Sequence, residues 1–261
     1  MTMNAVELTV PEFAFLLATL DCTSVIGLED PSLYPTNKSA RTKLLKAGRN
    51  TLQENGWIQP VPDRSDEYEL DALLLEAVSV VAAPEHMLAG TYSDGEGDPM
   101  LVFHYYAADD IVELSAVEQK LYWLSMLEGP EDVYARIAQF MHLDASSKKG
   151  ETELDVELLE QVSTLVKQGE TTQAESVLSS SSFDSKSIAS FLSALESGVR
   201  GSQLVVRIDA GEIASGQRFR VYGSGDSAWM TDKPDPSPAM LNVRPCSKDT
   251  VEAFINASLN L

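Results

Sequence analysis

The feature that most constrains this chain is a change of hydrophobic period that happens twice. Phe13, Leu16, Leu17 and Leu20 recur at helix spacing behind Thr9-Val10-Pro11-Glu12, which offers a capping Thr, a Pro in the first turn and an early acid. Thr36 to Asn55 reads as a second, basic helix closed by Asn55-Gly56, with Trp57-Ile58 as a short apolar segment behind it. Glu69 to Ala83 reads as a third, ending at Pro84. The period then shortens to that of strands at Met87–Tyr92, Met100–Tyr106 and Ile111–Leu114, separated by the turns SDGEGDP and AADD. A helix is predicted over Ala116–Leu127, stopped by Gly129-Pro130.

The same succession returns. Pro130-Glu131 opens EDVYARIAQFMHL much as Pro11-Glu12 opens the first helix. Helices are predicted over Leu154–Lys167, Thr172–Leu178 and from a capping Asp184 to Glu196. Strands follow at Gln203–Ile208, Arg218–Tyr222 and Leu241–Arg244, and a helix over Lys248–Leu259 closes the chain. The expectation is an α+β protein with a quasi-twofold duplicated unit, its halves spanning 1–129 and 130–261. A shared sheet would cover the edge that a three-stranded unit leaves open, and two separately packed halves are the alternative.

Charge excludes partners better than it names them. Forty acidic residues against nineteen basic give a formal net charge of −21, which opposes phosphate backbones and anionic lipid. It also suits a holding protein that must keep a greasy client soluble. The opening residues lack the basic region of a signal peptide, and no apolar run reaches the roughly 20 residues needed to span a bilayer, so a cytoplasmic location is expected. Cys22 and Cys246 stand too far apart in sequence for a zinc motif and read as two reduced thiols, with a single bridge as the minority alternative.

Catalytic patterns are not found. His86, His104 and His142 have no His or Cys partner at ligand spacing. Gly223-Ser224-Gly225-Asp226 fails the nucleophile elbow and the phosphate-binding loops. No catalytic, cofactor or metal residue is predicted. The acidic turn with Asp94, Glu96 and Asp98 is too short for a calcium loop; it reads as a mobile loop between strands or, functionally, as a protein-contact loop. Trp229, set among Asp, Pro and Ser, is either an exposed interface residue or an anchor folding its loop onto the sheet. The basic helix, with Lys38, Arg41, Lys43, Lys46 and Arg49, has a winged-helix flavour, although Leu44, Leu45 and Leu52 also fit the buried stripe of an ordinary amphipathic helix.

Three stretches carry a resemblance. LDALLLEAVSVVAAPEHML is similar to the helix, ending in Ala-Pro and feeding a strand, of the EspG family, the cytosolic chaperones of mycobacterial type VII secretion. LVFHYYAADDIVELSAVEQKLYWLSML resembles its strand, acidic turn, strand and helix, and SAWMTDKPDPSPAMLNVRPCSKDTVEAFINASL its closing Trp segment, strand and terminal helix. The resemblance implies quasi-twofold symmetry around a central, mainly antiparallel sheet flanked by helical bundles. It further implies binding of the hydrophobic tip of PE–PPE heterodimers, with the turn Ser93–Pro99 and the helices from Leu154 to Glu196 as contact regions.

The expected function is therefore a non-enzymatic cytosolic binding protein that holds helical secretion substrates, PE/PPE-like or WXG-like, in solution. No cofactor, membrane or small-molecule substrate is expected. The alternative is a winged-helix-like nucleic-acid-binding regulator using residues 36–55.

Overall fold

Thr9 ends a strand and begins a helix, and Glu12 makes the junction sharp. Glu12 Oε2 accepts hydrogen bonds from Thr9 N at 2.8 Å and Thr9 Oγ1 at 2.6 Å, and its Oε1 accepts one from Asn55 Nδ2 at 3.1 Å. The computed structural model describes residues 5–62, 64–93, 99–117, 121–144, 151–181, 183–233 and 239–259. It divides into two compact units, one made of Met1–Ala89, Leu101–Pro130 and Ile208–Glu212, the other of Gly90–Met100, Glu131–Arg207 and Ile213–Leu261.

The first unit begins with strand β1 (Val6–Thr9) and helices α1 (Val10–Thr19) and α2 (Lys38–Glu54). Asn37 caps α2, its Oδ1 accepting from Ser39 N and Ala40 N. A two-stranded hairpin follows, β2 (Ile58–Val61) and β3 (Arg64–Leu70), then helix α3 (Ala72–Ala82), capped by Asp71. Four strands complete it: β4 (His86–Tyr92), β5 (Met100–Ala107), β6 (Asp110–Val117) and β7 (Leu121–Leu127). Their order is β1-β7-β6-β5-β4, with β1–β7, β6–β7 and β5–β6 antiparallel. Phe13, Leu16 and Leu17 of α1 bury against the sheet, the Phe13 ring lying 4.8 Å from that of Tyr122. In the same unit Ile208 N donates to Glu85 O at 2.8 Å.

The helix predicted over Ala116–Leu127 is not what the described residues form: Ala116 and Val117 end β6, and Leu121–Leu127 is β7. Tyr122 and Leu124 point inward while Trp123 between them is 45% exposed, a period of two. Pairing on both sides, Leu124 with Leu114 and with Val6, overrides the local helical preference.

The second unit takes in helix α4 (Pro130–Phe140), strand β8 (Thr152–Asp155) and three helices, α5 (Val156–Lys167), α6 (Thr171–Ser179) and α7 (Ser185–Ser197). Then come β9 (Val199–Asp209), β10 (Glu212–Tyr222), β11 (Trp229–Asp232), β12 (Met240–Pro245) and helix α8 (Lys248–Leu259). The strand order is β9-β10-β11-β12-β8, with β10–β11, β11–β12 and β12–β8 antiparallel. Helices α5 to α7 cover one face through Leu159, Val162, Leu178, Ile188 and Phe191. On the other face Phe219 meets Phe254 of α8 edge to face at 4.9 Å, and the Tyr134 hydroxyl of α4 donates to Asn256 of α8.

The fold is α+β, and one topology occurs twice. A four-residue strand runs into three helices, then four strands follow, and the first strand pairs with the last: β1 with β7, β8 with β12. Helix α4 follows the first set and α8 the second. The duplication is thus in a different phase from the one expected. Glu7-Leu8-Thr9-Val10 corresponds to Glu153-Leu154-Asp155-Val156, where Asp155 Oδ1 caps α5 by accepting from Glu157 N at 2.8 Å. Pro130-Glu131 matches the start of α8, and not Pro11-Glu12.

Candidate functional site

Tyr222 and Trp229 sit opposite each other at the turn between β10 and β11, and both face the α5–α7 bundle. Trp229 is 3% exposed, with ring centroids 5.3 Å from Phe191 and 5.7 Å from Phe183, and its Nε1 donates to Ser190 Oγ at 3.2 Å. It anchors the strand to the helices, one of the two roles the sequence left open. Asp94, Glu96 and Asp98 lie outside the described residues. Only their flank is described: Ser93 N donates to Arg200 O at 2.9 Å.

The bundle stops short of covering this face. Between α5 and the strands lies a groove of about 320 Å³, whose apolar wall is Val156, Leu159, Tyr222 and Leu241. Its polar rim is Arg218, Arg220, Lys233 and Glu160. Residues of β10 alternate here: Phe219 and Val221 are buried while Arg218 and Arg220 are exposed. Farther back along β10, Glu212 to Arg218 are all exposed, and Ile213 is an exposed apolar residue at 56%.

Asp232 also lines the groove, but its charge is already engaged. Arg244 Nη2 lies 2.8 Å from Asp232 Oδ1, Arg244 Nη1 2.7 Å from Glu151 Oε1, and Asn242 Nδ2 donates to Asp232 Oδ2 at 3.1 Å. Burial pushes the Asp232 carboxyl above its ordinary value; the Arg244 guanidinium and the Asn242 hydrogen bond pull it down less strongly. Arg218, Arg220 and Lys233 make no ion pair with any of the described residues, leaving a cationic rim on a chain of net charge −21. Such a surface can bind an apolar segment and attract carboxylates.

The first unit holds a second hollow of about 360 Å³, lined by Phe15, Thr19, Arg49, Tyr68 and Leu70, with Arg49 Cζ 5.7 Å from the Tyr68 ring centre. The basic face of α2 is solvated, Lys38, Arg41, Lys43 and Lys46 being exposed while Gly48 and Leu52 are buried. Of the histidines, His104 is buried with Nε2 3.0 Å from Glu113 Oε2, and its Nδ1 has no hydrogen-bond partner among the described residues. Among the described residues no three His, Cys, Asp or Glu side chains cluster as metal ligands. Among the same residues no helix is long and apolar enough to cross a membrane.

Both cysteines are free thiols. Burial pushes the Cys246 thiol up to about 12, the nearby Arg244 pulling only weakly against it. The thiolate is the reactive form, so a disulfide-exchange reagent is expected to label half-buried Cys22 in the folded chain and Cys246 only after denaturation. Counting released chromophore before and after guanidinium checks this. Two equivalents released at once from the folded protein would contradict the packing of β12 and α8 around Cys246.

Two helix-flanked sets of strands in this order make up a fold that is also seen in a type VII secretion chaperone. One solved structure with this fold is Mycobacterium tuberculosis EspG5 in complex with a PE25–PPE41 dimer, which is 14% identical in sequence to this chain with a TM-score of 0.66. The match covers 98% of this chain and 96% of that one. At that identity the likeness is one of fold. No family model matches the sequence, and no curated protein matches it.

Of the groove, the sequence marked Arg218–Tyr222 as a strand and singled out none of its residues as a site. The run Arg218-Phe219-Arg220-Val221 signals a strand with one apolar and one cationic face. Nothing local says that α5 stands across from it.

Proposed function

We propose that this chain is a non-enzymatic, cytoplasmic chaperone of the EspG kind, binding a helical secretion substrate in the groove between α5 and β10–β12. The observation that carries the reading is the length of the fold match, 98% of this chain, to a protein solved with a PE25–PPE41 dimer. The groove adds a chemical reason: an apolar wall of Leu159, Tyr222 and Leu241 suits the tip of an amphipathic helical hairpin. The acidic surface elsewhere keeps such a complex in solution. In this reading Asp94, Glu96 and Asp98 form an accessory client contact, and no nucleic acid, membrane or small-molecule substrate takes part.

Co-expression with PE/PPE-like or WXG-like proteins encoded in the same genome tests it. The expected result is a stable complex that co-elutes on size exclusion and raises the client's soluble yield. If every such pair elutes as separate proteins and no client gains solubility, the reading fails.

A second reading has one observation behind it: the exposed cations of α2 are followed in the chain by the β2–β3 hairpin, the order of a recognition helix and a wing. Duplex DNA would then bind at low salt, with affinity falling as salt rises. Absence of binding at about 50 mM salt, where counterion release favours association, removes it.

A further inference from the structure

Arg218, Arg220 and Lys233 have no ion-pair partner among the described residues. Arg218 and Arg220 stand two apart on one face of β10, which sets them about 7 Å apart. Register places Thr231 opposite Arg220, and Lys233, two residues on, continues the same face toward Arg218. Like charges held close on neighbouring strands repel, and Glu160 on α5 is the only unengaged carboxylate among the described groove residues. Asp232 belongs to Arg244. Three cations therefore remain close together at the mouth of an apolar groove on a chain of net charge −21.

Resting on the client-binding reading of this groove, we propose that it selects a helical client whose apolar tip is flanked by carboxylates one helical turn apart. Residues at i and i+4 on a helix lie about 6 Å apart, which matches the spacing of Arg218 and Arg220 along β10. Each guanidinium presents paired N–H donors to one carboxylate, while Leu159 and Leu241 take the apolar side chains between them. Anion binding relieves the repulsion among Arg218, Arg220 and Lys233, and the acidic surroundings repel clients whose carboxylates fall outside the groove. The site thus reads the position of client charge as well as its hydrophobicity.

Synthetic two-helix hairpins test this without the natural client. Two versions share Leu and Phe at the tip and carry either Glu or Gln at two positions one turn apart. Titration into the full chain at about 50 mM salt is expected to show the Glu hairpin binding about tenfold tighter than the Gln hairpin, with the advantage shrinking at about 500 mM. The preference should vanish in R218E/R220E, persist in part in R218K/R220K, and persist fully in K167E/K186E, which changes as many exposed charges elsewhere. R218Q/R220Q provides the same reading if the reversal lowers the melting temperature. Equal binding of the two hairpins overturns the proposal, as does a preference that survives R218E/R220E or no binding of either. Co-purification with a natural client is a separate result, so failure here leaves the chaperone reading standing.

Discussion

Gly48→Ala is expected to lose about 3 kcal/mol of stability, the opposite sign from its usual effect. In an exposed helix interior the change gains about 1 kcal/mol by restricting the unfolded backbone. Here α1 and α2 cross in direct backbone contact. A Cβ on Gly48 would lie 1.9 Å from Pro11 O, 2.4 Å from Pro11 C and 2.9 Å from Glu12 N. No side chain can rotate away, so α1 must shift, which disturbs the Glu12 bonds to Thr9 and Asn55 and loosens Phe13 and Leu16 from the sheet. Overpacking of this kind typically costs about 1–3 kcal/mol, and occasionally more. A fall in melting temperature of about 6–12 °C should accompany it. Gly56→Ala is the control: its φ is +80° but nothing lies within 4 Å, so only about 1 kcal/mol of backbone strain is expected. Wild-type stability for Gly48→Ala would contradict the helix crossing.

Trp229→Ala should be the most damaging substitution in the second unit. Removing a buried aromatic side chain costs about 3–5 kcal/mol. Trp229 contacts two aromatic rings and fills the junction of β11 with α7, and its loss also leaves Ser190 Oγ without its donor. The expected signature is local: amides of α7 and β11 exchange faster, while those of α1 and β7 change little. Trp123→Ala serves as the contrast, because that side chain is 45% exposed and holds only a surface hydrogen bond to Glu7 Oε2 at 3.2 Å. A cost under about 1 kcal/mol is expected there. Equal costs for the two tryptophans in urea titration would contradict the burial of Trp229.

The helices were the most legible part of this chain, because their start signals are local. Asp184 announces α7, and its side chain does accept from Lys186 N, whereas α3 starts at Ala72 behind Asp71, three residues later than the Glu69 expected. Strands of four residues were not legible. Val6–Thr9, Thr152–Asp155 and Trp229–Asp232 are too short for a period to register, and each is fixed by a partner distant in sequence. Leu121–Leu127 was read as helix for the same reason, since its apolar residues fit either period until β1 and β6 pair with it. That misreading also shifted the phase of the duplication by pairing Pro130-Glu131 with Pro11-Glu12. Trp229 was ambiguous because the polar residues after it disguise the strand it begins. The groove was invisible in sequence: Arg218 and Leu159 become neighbours only through the packing of α5 on the sheet.

Hydrogen exchange on the chain with and without a co-purified helical client tests the account most directly. Protection is predicted at Val156–Glu160, Arg218–Tyr222 and the segment ending at Lys233, with the exposed face of α2 unchanged. Protection confined to Lys38–Glu54, or a complex that leaves the groove segments exchanging as in the free chain, would contradict it.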